Sequence, residues 1–239
     1  MAGRRVFTQV EVEYSPEHWL LLREKRRKAL EIVRALSRTV HPGLAVVHGS
    51  VARGDVHPGS DVDVAIVEPV PPGLVEEALE ASGFTVYKRI IVMATPRSTP
   101  KAYLVLDPPE ERVVSLPLAR LQPREREFYM WGGEVDAAGL ERGVRSPGVT
   151  KRLILVVPTP RGHVEEPVLG NEGRVAEVLG ISLETVRERV RVLTRRRELG
   201  RTGVYIKVEL PPEEPFEEAV RRLSASNPFF RRMMSDRSR

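Results

Sequence analysis

An α/β fold, with helices packed on a mixed sheet and a smaller module after it, follows from three observations. Short apolar runs of strand character alternate with longer stretches of helical period through the first half of the chain. Gly, Pro and Asp clusters punctuate those runs at the places where a chain must turn. From residue 121 to residue 150 the composition shifts, with Gly132, Gly133, Gly139, Gly143 and Gly148 interrupting any long period, before a second set of elements begins.

The elements can be taken in order. Val10, Val12 and Tyr14 alternate with polar residues and predict an opening strand. Ser15-Pro16-Glu17 is a helix start, with Ser15 as N-cap and Pro16 at the first helical position. Leu21, Leu22, Ala29, Ile32, Val33 and Leu36 recur at helical spacing, so one helix is predicted over 17–38. Its Arg23–Lys28 segment is strongly basic and reads either as a solvated face or as a nucleic-acid contact. His41-Pro42-Gly43 ends the helix, and Leu44–His48 is the first core strand. A short helix follows Gly49-Ser50, Asp61–Val67 is the second strand, and Pro72–Ser82 is a helix closed by Gly83. Strands are predicted over Phe84–Met93, Ala102–Leu106 and Arg112–Leu118, the last two separated by the turn composition Asp107-Pro108-Pro109-Glu110-Glu111. The first domain is expected to span 1–120. A linker over 121–150 follows, helical only over Pro123–Met130.

The chemistry concentrates in residues 49–63, between two apolar runs. Asp61 and Asp63 stand i, i+2 on a strand, so both point to one face, roughly 7 Å apart. That spacing suits the grip of one or two divalent cations, as in sites that handle a nucleoside triphosphate. Gly49-Ser50, at a strand-to-helix turn, offers backbone amides and a hydroxyl to phosphate.

This stretch resembles the nucleotidyltransferases of the DNA polymerase beta superfamily, in their minimal, archaeal-type form. The signature there is an apolar run, Gly-Ser, about ten residues, Asp-apolar-Asp and a second apolar run. The resemblance implies that Gly49, Ser50 and Arg53 bind nucleotide and that Asp61 and Asp63 hold magnesium or manganese and are catalytic. The Ala52-Arg53-Gly54 after the turn is also typical of the smaller members. Family enzymes carry a third carboxylate on a later strand. Asp107 is one placement, at the end of Tyr103–Leu106; the other aligns Val113–Pro117, where Ser115 stands in place of an aspartate.

A second module is read over 151–210. Lys151–Val157 predicts a strand. Arg174–Ser182 with Val186 and Val190 has the pattern of two closely packed helices, Ala176 allowing approach, Gly180 turning and Ser182 capping a helix that runs to about Leu199. Gly200-Arg201-Thr202-Gly203 then leads into Val204–Val208, a strand in the place of a wing. Together these resemble a winged helix-turn-helix domain. That resemblance implies either DNA or RNA binding through Arg187, Arg191 and Arg195 or a packing and dimerisation role. His163, in Pro160-Arg161-Gly162-His163, reads as a loop histidine. The tail, 211–239, carries a last helix over Phe216–Leu223 before a disordered end.

Composition narrows the classes. The chain has 239 residues, 41% hydrophobic and 30% charged, which are globular values. With no cysteine there is no disulfide or thiolate metal site, and the five histidines show no zinc-ligand spacing. Only six of the 38 basic residues are lysine and there are 20 prolines, a composition that suggests a thermophile. No apolar run is long enough to span a membrane and Met1–Arg5 begins no signal core, so a cytoplasmic protein is expected. A net charge of +5 favours a polyanionic partner. The first expectation is a magnesium-dependent enzyme moving a nucleoside monophosphate from a nucleoside triphosphate to a hydroxyl acceptor, with a nucleic-acid partner and a homodimer both compatible. The alternatives are a DNA-binding regulator whose first domain senses nucleotide, and an antitoxin-like enzyme that modifies a partner protein.

Overall fold

The structure, a computed structural model, describes residues 9–200 and 203–235; Met1–Arg5, the Arg201-Thr202 lead-in and the last four residues lie outside that range. Strand β1 (Val10–Glu13) opens it, followed by helix α1 (Pro16–Leu36), whose Ser15 cap accepts from His18 N at 3.3 Å. Strand β2 (Ala45–His48), the short helix α2 (Ser50–Arg53), strand β3 (Val62–Ile66) and helix α3 (Pro72–Glu80) form where their periods predict. Strands β4 (Lys88–Met93), β5 (Lys101–Val105) and β6 (Arg112–Pro117) complete the predicted set of the first half.

Residues 121–150 are more ordered than a linker. They hold helix α4 (Pro123–Gly132), strand β7 (Glu134–Asp136), helix α5 (Ala137–Glu141) and the two-residue strand β8 (Gly148–Val149). Strand β9 (Ile154–Thr159) starts three residues later than expected, because Thr150–Leu153 is a tight turn. Strand β10 (Gly162–Pro167) forms where a loop is expected. Helices α6 (Glu172–Leu179) and α7 (Leu183–Leu199) follow around Gly180, which sits at φ +63°, and Ser182 Oγ accepts from Thr185 N at 3.3 Å. Strand β11 (Ile206–Glu209), helix α8 (Phe216–Ser226) and helix α9 (Pro228–Ser235) close the described chain, α9 lying where a disordered end is expected.

The strands build two sheets. One has seven strands in the order β11-β4-β5-β6-β3-β2-β7; the other has four, in the order β1-β10-β9-β8. In the larger sheet only β3 and β6 run parallel. Its registers pair Asp63 with His48 on one side and with Val113 on the other. Alternation then sorts the side chains. Val47, Val64, Ile66, Leu104, Val114 and Leu116 face a core completed by Ile32, Val33 and Leu36 of α1, Leu79 of α3, Phe216 of α8 and Phe230 of α9. The opposite face carries Val46, Ala65 and Val67, roofed by Tyr129 and Phe128 of α4.

Two expectations are corrected here. The strand expected as a wing is instead an edge of the seven-stranded sheet, Ile206 pairing with Met93 and Glu209 with Ile90. Apolar alternation gives a strand its buried face but not its partner, and here the β4 edge took it. The N-terminal strand likewise joins the smaller sheet, Val10–Glu13 pairing with Gly162–Glu165. The smaller sheet packs with α6 and α7 around Leu155, Val168, Val175 and Val186, and Trp131 of α4 enters the same core. The two sheets therefore exchange elements along the sequence.

Much of the basic segment of α1 is engaged by partners within the chain, some of them at the surface. Lys25 is buried and approaches Glu111 at 3.7 Å, Lys28 pairs with Glu24 and Arg27 with Glu31. Arg26 reaches back to carbonyls of α2 and to Val144 O.

Candidate functional site

The site grows from the end of β2. Gly49 adopts φ +82°, ψ −149°, a conformation open to glycine, and a Cβ there would meet nothing within 4 Å. Its carbonyl receives Ala52 N at 3.1 Å and Arg53 N at 3.0 Å, starting α2. Ser50 N and Val51 N, in the first turn, have no intrahelical acceptor. The Ser50 hydroxyl donates to Ser60 Oγ at 3.2 Å, and Ser60 Oγ accepts from His57 N at 2.9 Å. This ties the turn after β2 to the loop that delivers Asp61.

So short a helix cannot hold itself together, and its far end is gripped by neighbours. Arg26 Nε donates to Val51 O at 3.1 Å, Arg26 Nη2 to Ala52 O at 3.3 Å and Ser146 N to Ala52 O at 3.2 Å. A His18 ring nitrogen shares a hydrogen bond with Gly54 O at 2.8 Å. Arg53 is part of this frame. It is 6% exposed, grips both Asp55 carboxylate oxygens at 2.9 Å and donates to Gly132 O at 2.6 Å. The expected role of Arg53 in binding nucleotide gives way to a structural one, since its guanidinium already holds three acceptor oxygens on Asp55 and Gly132.

Asp61 is exposed just before β3, and Asp63 is partly buried within it. Among the described residues neither carboxylate takes part in a hydrogen bond or an ion pair. Burial and then the nearby Asp61 push the Asp63 carboxyl up to about 6, and Lys151 opposes them. His48, opposite Asp63, is pushed down to about 4 by burial, then by Lys101, Arg53 and Lys151, so its ring is neutral at pH 7. It meets Tyr129 edge-on with ring centres 5.2 Å apart.

Beyond this pair the face is polar and covered. Lys101 Nζ donates to Tyr129 OH at 2.8 Å and lies 4.7 Å from the centre of that ring; burial lowers its pKa. Burial raises Tyr103, and it raises Tyr129 to about 12. Ser115 is 7% exposed beside Tyr129. His48, Lys101, Tyr103, Tyr129 and Lys151 escape a reading of the motif, although Lys101 and Tyr103 alternate with buried Ala102 and Leu104 in a way that marks their face.

Asp107 is not brought into the site. Its Oδ1 accepts from Glu111 N at 2.8 Å and Arg112 N at 3.2 Å, and its Oδ2 from Arg112 Nε at 2.8 Å. It pins the β5–β6 hairpin, the role its Asp-Pro-Pro context also allows. Among the described residues no three His, Asp or Glu side chains gather as a metal cluster. On β6 the residues beside Asp63 and Ala65 are Val113 and Ser115.

Arg187, Arg191 and Arg195 lie exposed along α7, one turn apart, and none of them makes an ion pair among the described residues. The start of α7 is closed, however. Glu127 of α4 accepts from Ser182 N at 3.1 Å, Ser182 Oγ at 2.6 Å and Thr185 Oγ1. Arg189, on the inner side of the helix, stacks over Phe128 at 4.9 Å. His163, expected in a loop, is 4% exposed on β10 and shares a hydrogen bond with Tyr14 OH at 2.7 Å.

No helix among the described residues is long and apolar enough to cross a membrane. Comparison with curated proteins and with solved structures gives no match. Residues 26–101, from the middle of α1 to the first residue of β5, match the family model of a nucleotidyltransferase domain, so the segment that carries Gly49, Ser50, Asp61 and Asp63 supports nucleotidyl transfer as the general activity.

Proposed function

We propose that the face bearing Asp61 and Asp63 binds a nucleoside triphosphate together with magnesium or manganese and transfers its nucleoside monophosphate to a hydroxyl acceptor. The observation that carries this reading is the pair of carboxylates without a hydrogen-bond or ion-pair partner among the described residues, beside the open Gly49-Ser50 turn. Two unsatisfied carboxylates are hard oxygen donors, and a divalent cation relieves their mutual repulsion. The cation, when bound, neutralises phosphate charge and orients the reacting groups.

The chain's own residues do the rest. Asp61 and Asp63 hold the cation, and the Ser50 and Val51 amides that no helix bond uses receive phosphate oxygens together with the Ser50 hydroxyl. Gly49, whose own N–H is taken by Gly133 O, leaves the approach to them clear. Phe128 and Tyr129 exclude water from the inner side of the site. The acceptor hydroxyl attacks the α-phosphorus in line; its oxygen–phosphorus bond forms as the bond to the departing pyrophosphate breaks, and the hydroxyl proton leaves to solvent. His48, held neutral with a low pKa, is a weak base and serves as a hydrogen-bonding wall. The exposed arginines of α7 favour a nucleic acid as acceptor or anchor.

A second reading, a nucleotide-sensing DNA-binding regulator with weak or no chemistry, is favoured by the engagement of Asp107 in its hairpin. The test has two parts. Calorimetry of the parent and of Asp61→Asn/Asp63→Asn with ATP, with and without magnesium, should show binding only in the parent and only with metal; equal affinity in both proteins refutes the site. Transfer of labelled nucleotide to pooled RNA, DNA and protein then separates enzyme from sensor.

A further inference from the structure

The expected linker brings the second sheet against the nucleotide turn. Gly49 N donates to Gly133 O at 3.0 Å. Gly148, in β8, packs so closely on the same segment that a Cβ there would lie 2.6 Å from the Gly132 carbonyl carbon. Only glycine permits three backbones to stack in this way. The turn that follows is built with equal care. Thr150 Oγ1 accepts from Arg152 N at 3.2 Å and Ile154 N at 3.3 Å, and Leu153 N donates to Thr150 O at 3.0 Å. Leu153 takes φ +61°, a left-handed conformation that a branched side chain adopts only when its surroundings compel it, and its side chain is 2% exposed in the core shared with Trp131.

What this strained turn presents is Lys151. The side chain is exposed and has no hydrogen bond or ion pair among the described residues. The Gly132 on which Gly148 packs is itself against the site, a Cβ there lying 3.7 Å from His48 Nδ1 and 3.9 Å from Gly49 N. The turn that follows Gly148 therefore stands beside the face of Asp63, and the charge of Lys151 acts on Asp63 and His48 in keeping with that. Arg53 is committed to Asp55 and Gly132, and Lys101 is buried on Tyr129. Among the described residues, Lys151 thus stands beside this face with its own donors available.

We propose that Lys151 is a substrate-contacting residue whose ammonium binds an oxygen of the triphosphate held at Asp61 and Asp63, so that the second unit supplies part of the nucleotide site. This rests on the nucleotide-binding reading above. A divalent cation leaves part of the triphosphate charge uncompensated, and an ammonium with three free donors is a compact partner for it. The smaller sheet then positions a charge as well as carrying α6 and α7.

The experiment is a titration of the parent, Lys151→Ala and Lys151→Arg with magnesium-ATP, with melting curves for all three. Lys151→Ala should weaken binding about tenfold or more, as loss of a charged hydrogen bond does. Lys151→Arg should recover most of the affinity, and the melting temperatures should agree, because the side chain is exposed. Parental affinity in Lys151→Ala overturns the proposal. So does a loss that Lys151→Arg fails to recover and that comes with a lower melting temperature, since that marks a role in folding the turn. A parent that binds no magnesium-ATP instead removes the nucleotide site itself, and this inference with it.

Discussion

Replacing Asp63 with Asn should stabilise the metal-free protein while abolishing its metal response. The folded protein holds the Asp63 carboxyl at about 6, against an ordinary value of 3.8, through burial and the charge of Asp61. Between those two values the folded state binds a proton that the unfolded state has lost. Stability therefore falls as pH rises through this window, and the full penalty is present above about 6. Such an interval corresponds to roughly 3 kcal/mol at most, and partial exposure of the side chain cuts this to about 1–2 kcal/mol. For a chain of this length that is a rise of about 3–6 °C in melting temperature for Asp63→Asn. The assay is a pair of melting curves in chelator at pH 8 and pH 4.5. The variant should lead at pH 8, and its lead should shrink at pH 4.5, where the parent carboxyl is protonated. Added magnesium or manganese should raise the melting temperature of the parent and leave the variant in place, because binding to the folded state alone stabilises by mass action. A variant no more stable than the parent at pH 8, or a lead that persists unchanged at pH 4.5, would falsify the account of Asp63 as a carboxylate in want of a cation.

Four further outcomes are expected. Asp107→Ala should cost about 1–3 kcal/mol by freeing Glu111 N, Arg112 N and the Arg112 side chain, while magnesium-ATP affinity measured well below the melting point stays parental; a selective loss of affinity or turnover would return Asp107 to the site. Gly148→Ala should destabilise by about 1–3 kcal/mol and weaken nucleotide binding through the Gly133–Gly49 bond. Gly173→Ala, on open helix surface, should gain about 0.5–1 kcal/mol; equal melting temperatures for the two variants would contradict the close stack. Changing Arg187, Arg191 and Arg195 together to Ala should weaken duplex or single-strand binding and flatten its log–log salt dependence by about one unit per lost phosphate contact, whereas a parent that ignores both at low salt ends the nucleic-acid role of α7.

The nucleotidyltransferase segment was legible because its motif lies within one contiguous stretch. Gly49, Ser50, Asp61 and Asp63 are bounded by two apolar runs, and each run could only be a strand of the same core. Helices α6 and α7 were legible for a similar local reason, the small residue, glycine turn and cap at fixed spacing. What escaped depends on distant partners. The period of Val10–Tyr14 marks a strand but cannot say that it pairs with Gly162–Glu165, nor can Val204–Val208 announce an edge on β4. Glu127 reads as one more charge on a charged helix until Ser182 and Thr185 arrive from more than fifty residues downstream. Lys151 reads as the first residue of a strand, because nothing local reveals that Leu153 is forced to a positive φ.

The closed start of α7 bears on how the second unit can meet a nucleic acid. A recognition helix reads bases through its N-terminal residues, lying in the major groove. Here those residues, Ser182 and Thr185, are bonded to Glu127, and Arg189 is turned inward onto Phe128. Insertion by that end would require α7 to leave α4, and α4 also roofs the sheet face of Val46, Ala65 and Val67 through Tyr129. Contact through the outward row of Arg187, Arg191 and Arg195 needs no such rearrangement. Those side chains would reach phosphates and not base edges, and phosphate contacts fix position without reading sequence. Any nucleic acid engaged in this way is held by its backbone charge, so affinity should vary little among sequences of equal length.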